Sequence, residues 1–263
     1  MKIKKLLLNT AKALLVTVFW FAVWAVISFR VNSEFLLSSP VSVFKALCEL
    51  VVTSEFWEIA SLSLFRVVGG IVVSLIIGSI LAILTECSSW IRTLLSPALG
   101  VIKATPVASF IILALLWIDR NTLPLFIISL IVVPIVWSNV SSGIRAVDKD
   151  LVDVTKVYRF TPMQKLSRLY VPSVAPYFMA ACRSSLGIAW KAGISAEVLS
   201  TPQKAIGTEL YFTKTYLETP SLFAWTMVII VLSIIIEKLF VFGLEILGAK
   251  MHLIPKGEQH DKT

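Results

Sequence analysis

Val67-Val68-Gly69-Gly70-Ile71-Val72-Val73-Ser74-Leu75-Ile76-Ile77-Gly78-Ser79-Ile80-Leu81-Ala82-Ile83-Leu84-Thr85 is a run of 19 residues without a charge. A helix rises about 1.5 Å per residue, so such a run spans roughly 30 Å, the hydrocarbon thickness of a bilayer. Gly70, Ser74, Gly78 and Ala82 are small and spaced by four, which sets them in one stripe along the helix. In a membrane such a stripe lets a second helix come close, and packing within a bundle is a readier use for it than a dedicated dimer interface.

The same test applied outward finds charge-free runs at residues 13–29 (17 residues), 104–118 (15), 121–144 (24) and 219–237, which encloses 18 more. The 15-residue run reaches membrane length only if Lys103 is included, its ammonium snorkelling to the interface. Residues 171–194 form a further candidate, interrupted by Arg183 and Lys191. These readings predict an all-α, polytopic integral membrane protein with six transmembrane helices. Residues 1–29, with Lys2, Lys4 and Lys5 ahead of the apolar run, have the look of a signal peptide. The run is long for that purpose and no convincing small-x-small cleavage site follows, so a retained signal-anchor is expected.

Composition agrees. Of 263 residues 57% are hydrophobic and 15% charged, and the mean hydropathy is +0.87. A soluble chain carries about a quarter of its residues as charges, so an ordinary soluble enzyme, a disordered protein and a disulfide scaffold are excluded. Cys48, Cys87 and Cys182 lie far apart, and the histidines are His252 and His260, both near the C-terminus. Metal binding and histidine acid–base catalysis have almost no raw material here.

The net charge of +8 is a matter of topology. With the N-terminus cytoplasmic, the segments on that side hold sixteen Lys and Arg and the opposite loops hold five, while acidic residues divide evenly. That is the positive-inside bias, and it puts both termini in the cytoplasm. Nucleic-acid binding is not needed to explain it.

Between the spans, Ser38-Ser39-Pro40 reads as a turn, followed over residues 41–52 by an amphipathic helix with Val43, Leu47 and Leu50 on one face. It is expected at the outer interface. The most informative connection is residues 145–170. Leu151, Val154, Val157 and Tyr158 form one helical face, and Asp150, Asp153 and Lys156 form the other. Thr161-Pro162-Met163-Gln164 then reads as a capping box with proline at the first helical position, so a second short helix is expected from Pro162, ending before Pro172. Two short amphipathic helices either rest on the headgroups or protrude as a docking element, and periodicity leaves both open.

At this loop the chain resembles the permease subunit of binding-protein-dependent ABC importers, in the nitrate, aliphatic-sulfonate and taurine group. The cytoplasmic signature of that family reads roughly E-A-A-x-x-x-G, followed further on by I-x-x-P. Asp153-Val154-Thr155 stands where E-A-A would be, Arg159 where the glycine would be, and Leu169-Tyr170-Val171-Pro172 at the closing end. Arg159 supplies a glycine's backbone freedom less cheaply, so Phe160-Thr161-Pro162 is expected to make the break between the two helices. Ser61-Leu62-Ser63-Leu64-Phe65-Arg66-Val67-Val68-Gly69-Gly70 resembles the family's S-L-x-R-V-x-x-G. Lys103-Ala104-Thr105-Pro106 resembles the opening of its third span, and the stretch from Ala189-Trp190-Lys191 to Ala196-Glu197, with Gly207 later, resembles its A-W…A-E segment. The likeness covers roughly residues 35–240.

The resemblance implies a non-enzymatic membrane subunit that pairs with a second permease copy. It implies docking of two cytosolic ATPase subunits through Asp150, Leu151, Asp153, Val154, Thr155, Val157, Tyr158, Arg159, Pro162, Leu166 and Pro172, and receipt of a small, often anionic solute from an extracytoplasmic binding protein. No cofactor is expected in this chain, ATP being bound by the partner. The implied division is an anchor helix at 1–34, an outer interfacial segment at 35–60, a permease core at 61–240 containing the coupling loop 145–170, and a cytoplasmic tail at 241–263, all in a bacterial plasma membrane.

Ionisable groups within spans are functional candidates because they are costly there. Arg66, Arg183 and Lys191, with Trp190 beside them and Glu197 at the outer end, form a candidate substrate pathway favouring an anion. Arg183 and Lys191 are eight apart and share a helix face, and Glu197 is placed to pair with Lys191. Structural ion pairs and snorkelling are the competing account, the readier one for Arg66 and Lys191. Three other functions leave different marks in a sequence. A secondary active transporter working without an ATPase would usually show internal repeats and acidic residues within its spans; neither is found. A lipid-modifying enzyme would need clustered Asp, His or Cys, and only Asp148, Asp150 and Asp153 come near that. An exporter's fused ATPase would show a GxxxxGK[ST] loop, absent from these residues.

Overall fold

A computed structural model describes residues 2–250 of the chain; His252, His260 and the rest of the expected tail beyond 250 lie outside the described residues. Eleven α-helices and one π turn account for the regular structure of the described residues, and no strand occurs among them. They are α1 (Lys2–Val31), α2 (Pro40–Val52), α3 (Ser54–Cys87), α4 (Ser89–Ala104), α5 (Val107–Ala114), α6 (Leu123–Arg145), α7 (Lys149–Val157), α8 (Pro162–Lys165), the π turn Leu166–Tyr170, α9 (Val171–Ser200), α10 (Ile206–Thr215) and α11 (Thr219–Lys250).

The centre is a three-helix contact of α3, α6 and α9. Gly70, Ser74, Gly78 and Ala82 are all buried, and a Cβ added at Gly70 or Gly78 would stand 3.0 Å from Ile128 Cβ or 2.7 Å from Val136 Cβ. The small-residue stripe therefore serves packing inside the chain, with α6 seated where larger side chains would keep it off. Gly70 meets Ile128 and Gly78 meets Val136, so α3 and α6 run in the same direction. Gly143 meets Tyr177 and Gly193 meets Ile128, so α9 runs against them.

That parallel pairing decides how the third expected span is built. The chain leaves α3 at one end of the bundle and begins α6 at the other, so α4 and α5 must carry it across. They do so as two helices bent by 105° at Thr105–Pro106, not as the continuous helix over 104–118 that hydropathy predicts. Pro106 has no N–H to continue the ladder and holds Thr105 extended at ψ 133°. By length and composition α1, α3, α6 and α11 can each cross a membrane, and the bent pair makes five. α9 carries Arg183 and Lys191 but has 30 residues antiparallel to α6, so the geometry accommodates six passages.

At the α3 N-terminal end, Ser39 caps α2 and Pro40 opens it as the turn predicts. Val43 is fully buried, and α2 lies against α11. The Trp24 indole donates to the Ser38 carbonyl at 3.1 Å and stacks on Phe223, while Ser28 donates to the Leu37 carbonyl. The rest of the α1 window from Leu14 to Val31 is largely exposed. Leu244 of α11 lines one cavity with Ile144 and Tyr170, so this part of α11 lies at the end of the bundle that holds the end of α6 and the π turn.

Candidate functional site

α7 is a short, firmly ended helix. Asp148 caps it by accepting from the Asp150 N–H at 2.9 Å. At its other end the Phe160 N–H bonds to the Thr155 carbonyl (2.9 Å) and the Arg159 N–H to the Lys156 carbonyl (3.1 Å). This is the Schellman pattern, which requires a left-handed residue between the two bonds. Arg159 takes that conformation at φ 50°. The break between the short helices is thus made by the arginine itself, correcting the expectation that Phe160-Thr161-Pro162 would make it. Two hydrogen bonds and the capping box behind them outweigh the roughly 1–2 kcal/mol that a Cβ costs in this region.

The capping box forms as predicted: the Gln164 N–H donates to Thr161 Oγ1 and the Thr161 N–H to Gln164 Oε1 at 2.9 Å. The second helix does not stop before Pro172, however. It passes through the π turn into α9, the Val171 N–H reaching the Leu166 carbonyl, with Pro172 in the first turn of the long helix. A proline there lacks an N–H, and the widened turn takes up the missing bond without ending the helix. The knob is therefore continuous with α9.

Leu151, Val154, Val157 and Tyr158 are 50, 45, 79 and 72% exposed, while Thr155 and Leu169 turn inward. Among the described residues the apolar face of α7 is thus half to mostly uncovered. Asp150, Asp153, Arg159, Pro162 and Pro172 are exposed around it. The Lys156 ammonium, 2.7 Å from Asp153 Oδ1, holds that carboxyl below its usual range by hydrogen bond and charge, and is itself raised. Leu166 is half exposed and also lines a mostly apolar cavity of about 660 Å³ between the knob, α3, α6, α9 and the end of α11. At its rim Glu86 pairs with Arg92 and, at 3.4 Å, with Arg145, tying α3, α4 and α6 together. Glu86 was not singled out from sequence, since neither partner stands at helical spacing from it.

The opposite end holds a second knot. Glu197 is fully buried; Ser63 Oγ donates to its Oε2 at 2.9 Å and the Gly207 N–H at 3.2 Å. Arg66 Nη1 stands 3.5 Å from Glu197 Oε1, and the same guanidinium donates to the carbonyls of Gln203 and Lys204. Ser63 Oγ in turn accepts the Ile206 N–H at 2.9 Å. The partner of Glu197 is thus Arg66, not Lys191: six residues along a helix turn the two α9 side chains to different sides. Trp190 is buried in the core cluster. Arg183 and Lys191 lie on an exposed strip of α9 with Ser184, Ile188 and Ser195, the half-buried Gly187 among them. Of the five residues expected along a pathway, the structure brings Arg66 and Glu197 together in a buried pair, sets Trp190 in the core, and leaves Arg183 and Lys191 on one open face.

Residues 70–245 match the family model of the binding-protein-dependent transport system inner membrane component. The chain belongs to this family. An aliphatic sulfonates transport permease protein of Bacillus subtilis is 27% identical over 215 residues, 81% of this chain and 78% of that protein. A bicarbonate transport system permease protein of Synechocystis is 27% identical over 153 residues, 58% of this chain and 54% of the relative. A nitrate import permease protein of Synechococcus elongatus is 28% identical over 152 residues, 57% of this chain and 53% of its own length. The match thus spans little more than half of the latter two. The chain is a multi-pass plasma-membrane permease component of an ABC importer, not an enzyme. Such a component implies an ATPase and a solute-binding protein beside it, and this favours the importer over a secondary transporter.

Proposed function

We propose that two copies of this chain form the pathway of an ATP-driven importer for a small anion, a sulfonate, nitrate, taurine or a related solute. Each α7–α8 knob would dock one of two cytosolic ATPase subunits, and an external binding protein would deliver the solute at the α10 end. The knob side is the cytoplasm and both termini lie there, in keeping with the lysine and arginine bias. Residues 1–34 act as an anchor, 35–60 as an outer interfacial segment, 61–240 as the core and 241–263 as the tail.

The exposed apolar face of α7 carries the reading. Four apolar side chains of α7 and its C-cap are half to mostly exposed, and the knob joins α9 without a break. A push on the knob therefore reaches Arg183 and Lys191 along one rigid element, and the cavity beneath Leu166 gives the knob room to move. Arg183 and Lys191 favour an anion on the open face of α9, while Arg66 and Glu197 hold the α9–α10 turn to α3 as a structural latch.

The test is co-purification. The detergent-solubilised chain should retain an ATP-hydrolysing partner, identified by mass spectrometry. Leu151→Asp with Val154→Asp should lose that partner while the chain stays monodisperse at an unchanged melting temperature. An ATPase retained equally by both forms would remove the docking role.

A further inference from the structure

The bend in the third passage encloses a second cavity of about 210 Å³, lined by Ile102, Lys103, Thr105, Val107 and Phe110 from the bend, by α6 from Leu130 to Ile135, and by Ile188 of α9. Residues 130–135 are the middle turns of α6, so the cavity lies near mid-depth of the bundle. Lys103 is the one charged residue in its wall. Among the described residues no carboxylate stands within ion-pair distance of it. Its ammonium instead lies 5.5 Å from the ring centroid of Trp137, which is itself fixed by an indole hydrogen bond to Thr85 Oγ1 at 2.8 Å.

Lys103 is exposed beside the cavity, its ammonium standing over the Trp137 ring. The backbone of the bend adds to the argument. α5 begins at Val107 without a side-chain cap, and neither Val107 nor Ala108 donates to a backbone carbonyl among the described residues. Unpaired N–H groups at membrane depth are tolerated where they meet protein or water, not lipid. The bend therefore faces protein or water. Ile188 belongs to the exposed strip of α9 that carries Arg183 and Lys191, so the cavity opens onto that same face.

We propose that Lys103 is an anion-binding residue on the translocation pathway, holding a small oxyanion in the elbow of the broken passage. This rests on the reading of the α9 strip as pathway lining. The cavity has room for several waters, which suits a nitrate, a bicarbonate or a sulfonate head. The Thr105 hydroxyl already donates to the Val101 carbonyl at 2.8 Å, so the lysine is the side chain that attracts the anion.

Cysteine accessibility in membrane vesicles tests this without any ATPase. Thr105→Cys is placed in a background carrying Cys48→Ser, Cys87→Ser and Cys182→Ala, and labelled with an ethylsulfonate or a trimethylammonium methanethiosulfonate. The anionic reagent should react faster by roughly tenfold. Sodium nitrate or ethanesulfonate at constant ionic strength should slow it. Lys103→Gln should bring the two rates together, and Lys103→Arg should keep them apart. Absence of labelling by either reagent, or a rate ratio that ignores Lys103→Gln, would overturn the proposal. Ser184→Cys on the α9 strip separates the two readings: if it stays unlabelled while Thr105→Cys shows the charge-dependent ratio, the strip loses its role and Lys103 keeps its own.

Discussion

Gly207 is the position where one methyl group should do most damage. A Cβ there would lie 2.4 Å from Glu197 Cβ, 2.5 Å from Val198 N and 2.7 Å from Glu197 C. Two of these three atoms are backbone of α9, so no rotamer change relieves the contact. To reach ordinary separation α10 must back away by about 1 Å. That lengthens the 3.2 Å bond from the Gly207 N–H to Glu197 Oε2 and pulls Ile206 N–H from Ser63 Oγ, now at 2.9 Å. Each buried polar group left without its partner costs about 1–3 kcal/mol, so Gly207→Ala should destabilise by about 3–5 kcal/mol. For a chain of this size that is a fall of roughly 10 °C in the melting temperature. The control is Gly100→Ala in α4, where a Cβ meets nothing within 4 Å and helix propensity alone should add up to about 1 kcal/mol. Both variants are compared in detergent by thermal unfolding followed by size exclusion. If Gly207→Ala melts with Gly100→Ala, the Glu197 knot does not hold α10 as argued.

Gly187 also has open space at its Cβ and lies on the exposed α9 strip; Gly187→Leu should leave the melting temperature within a few degrees and abolish solute uptake, and undiminished uptake would take the strip out of the pathway. Arg159→Gly relieves the left-handed conformation at φ 50° and should stabilise the knob by about 1 kcal/mol, read as slower amide exchange at residues 159 and 160. Burial, together with the charges of Glu55 and Glu218, raises the Glu209 carboxyl above its ordinary value. Protonation therefore favours the folded state, and native stability should rise as pH falls from neutral toward the ordinary carboxylate range. Glu209→Gln should stabilise at pH 7.5 and lose that advantage on acidification; a gain independent of pH would refute the assignment.

The chain's membrane character was legible because hydropathy needs only composition and length, and the 19-residue run from Val67 to Thr85 carries both. The capping box at Thr161 and Gln164 was legible because its partners lie three residues apart, within one turn. The same locality explains the misses. Within its own helix Glu197 has Lys191 six residues away as the nearest cation, while its actual partners Ser63 and Arg66 lie on another helix. Arg159 was expected to avoid a left-handed backbone, yet two end bonds of α7 over-determine it. A continuous third span hides the elbow at Thr105–Pro106, beside which Lys103 lines a cavity.

Sequence alone determined that this is a helical membrane protein, and that capped short helices begin at Lys149 and Pro162. Each follows from local rules of hydrophobicity, charge and capping. Only the tertiary structure decided that α3 and α6 run parallel, that the third passage is therefore a broken one, and which intramembrane cations are neutralised by a buried carboxylate. The reason is physical: helix direction and ion pairing across helices depend on residues far apart in the chain, such as Gly70 and Ile128 or Ser63 and Glu197, brought together only when the helices pack.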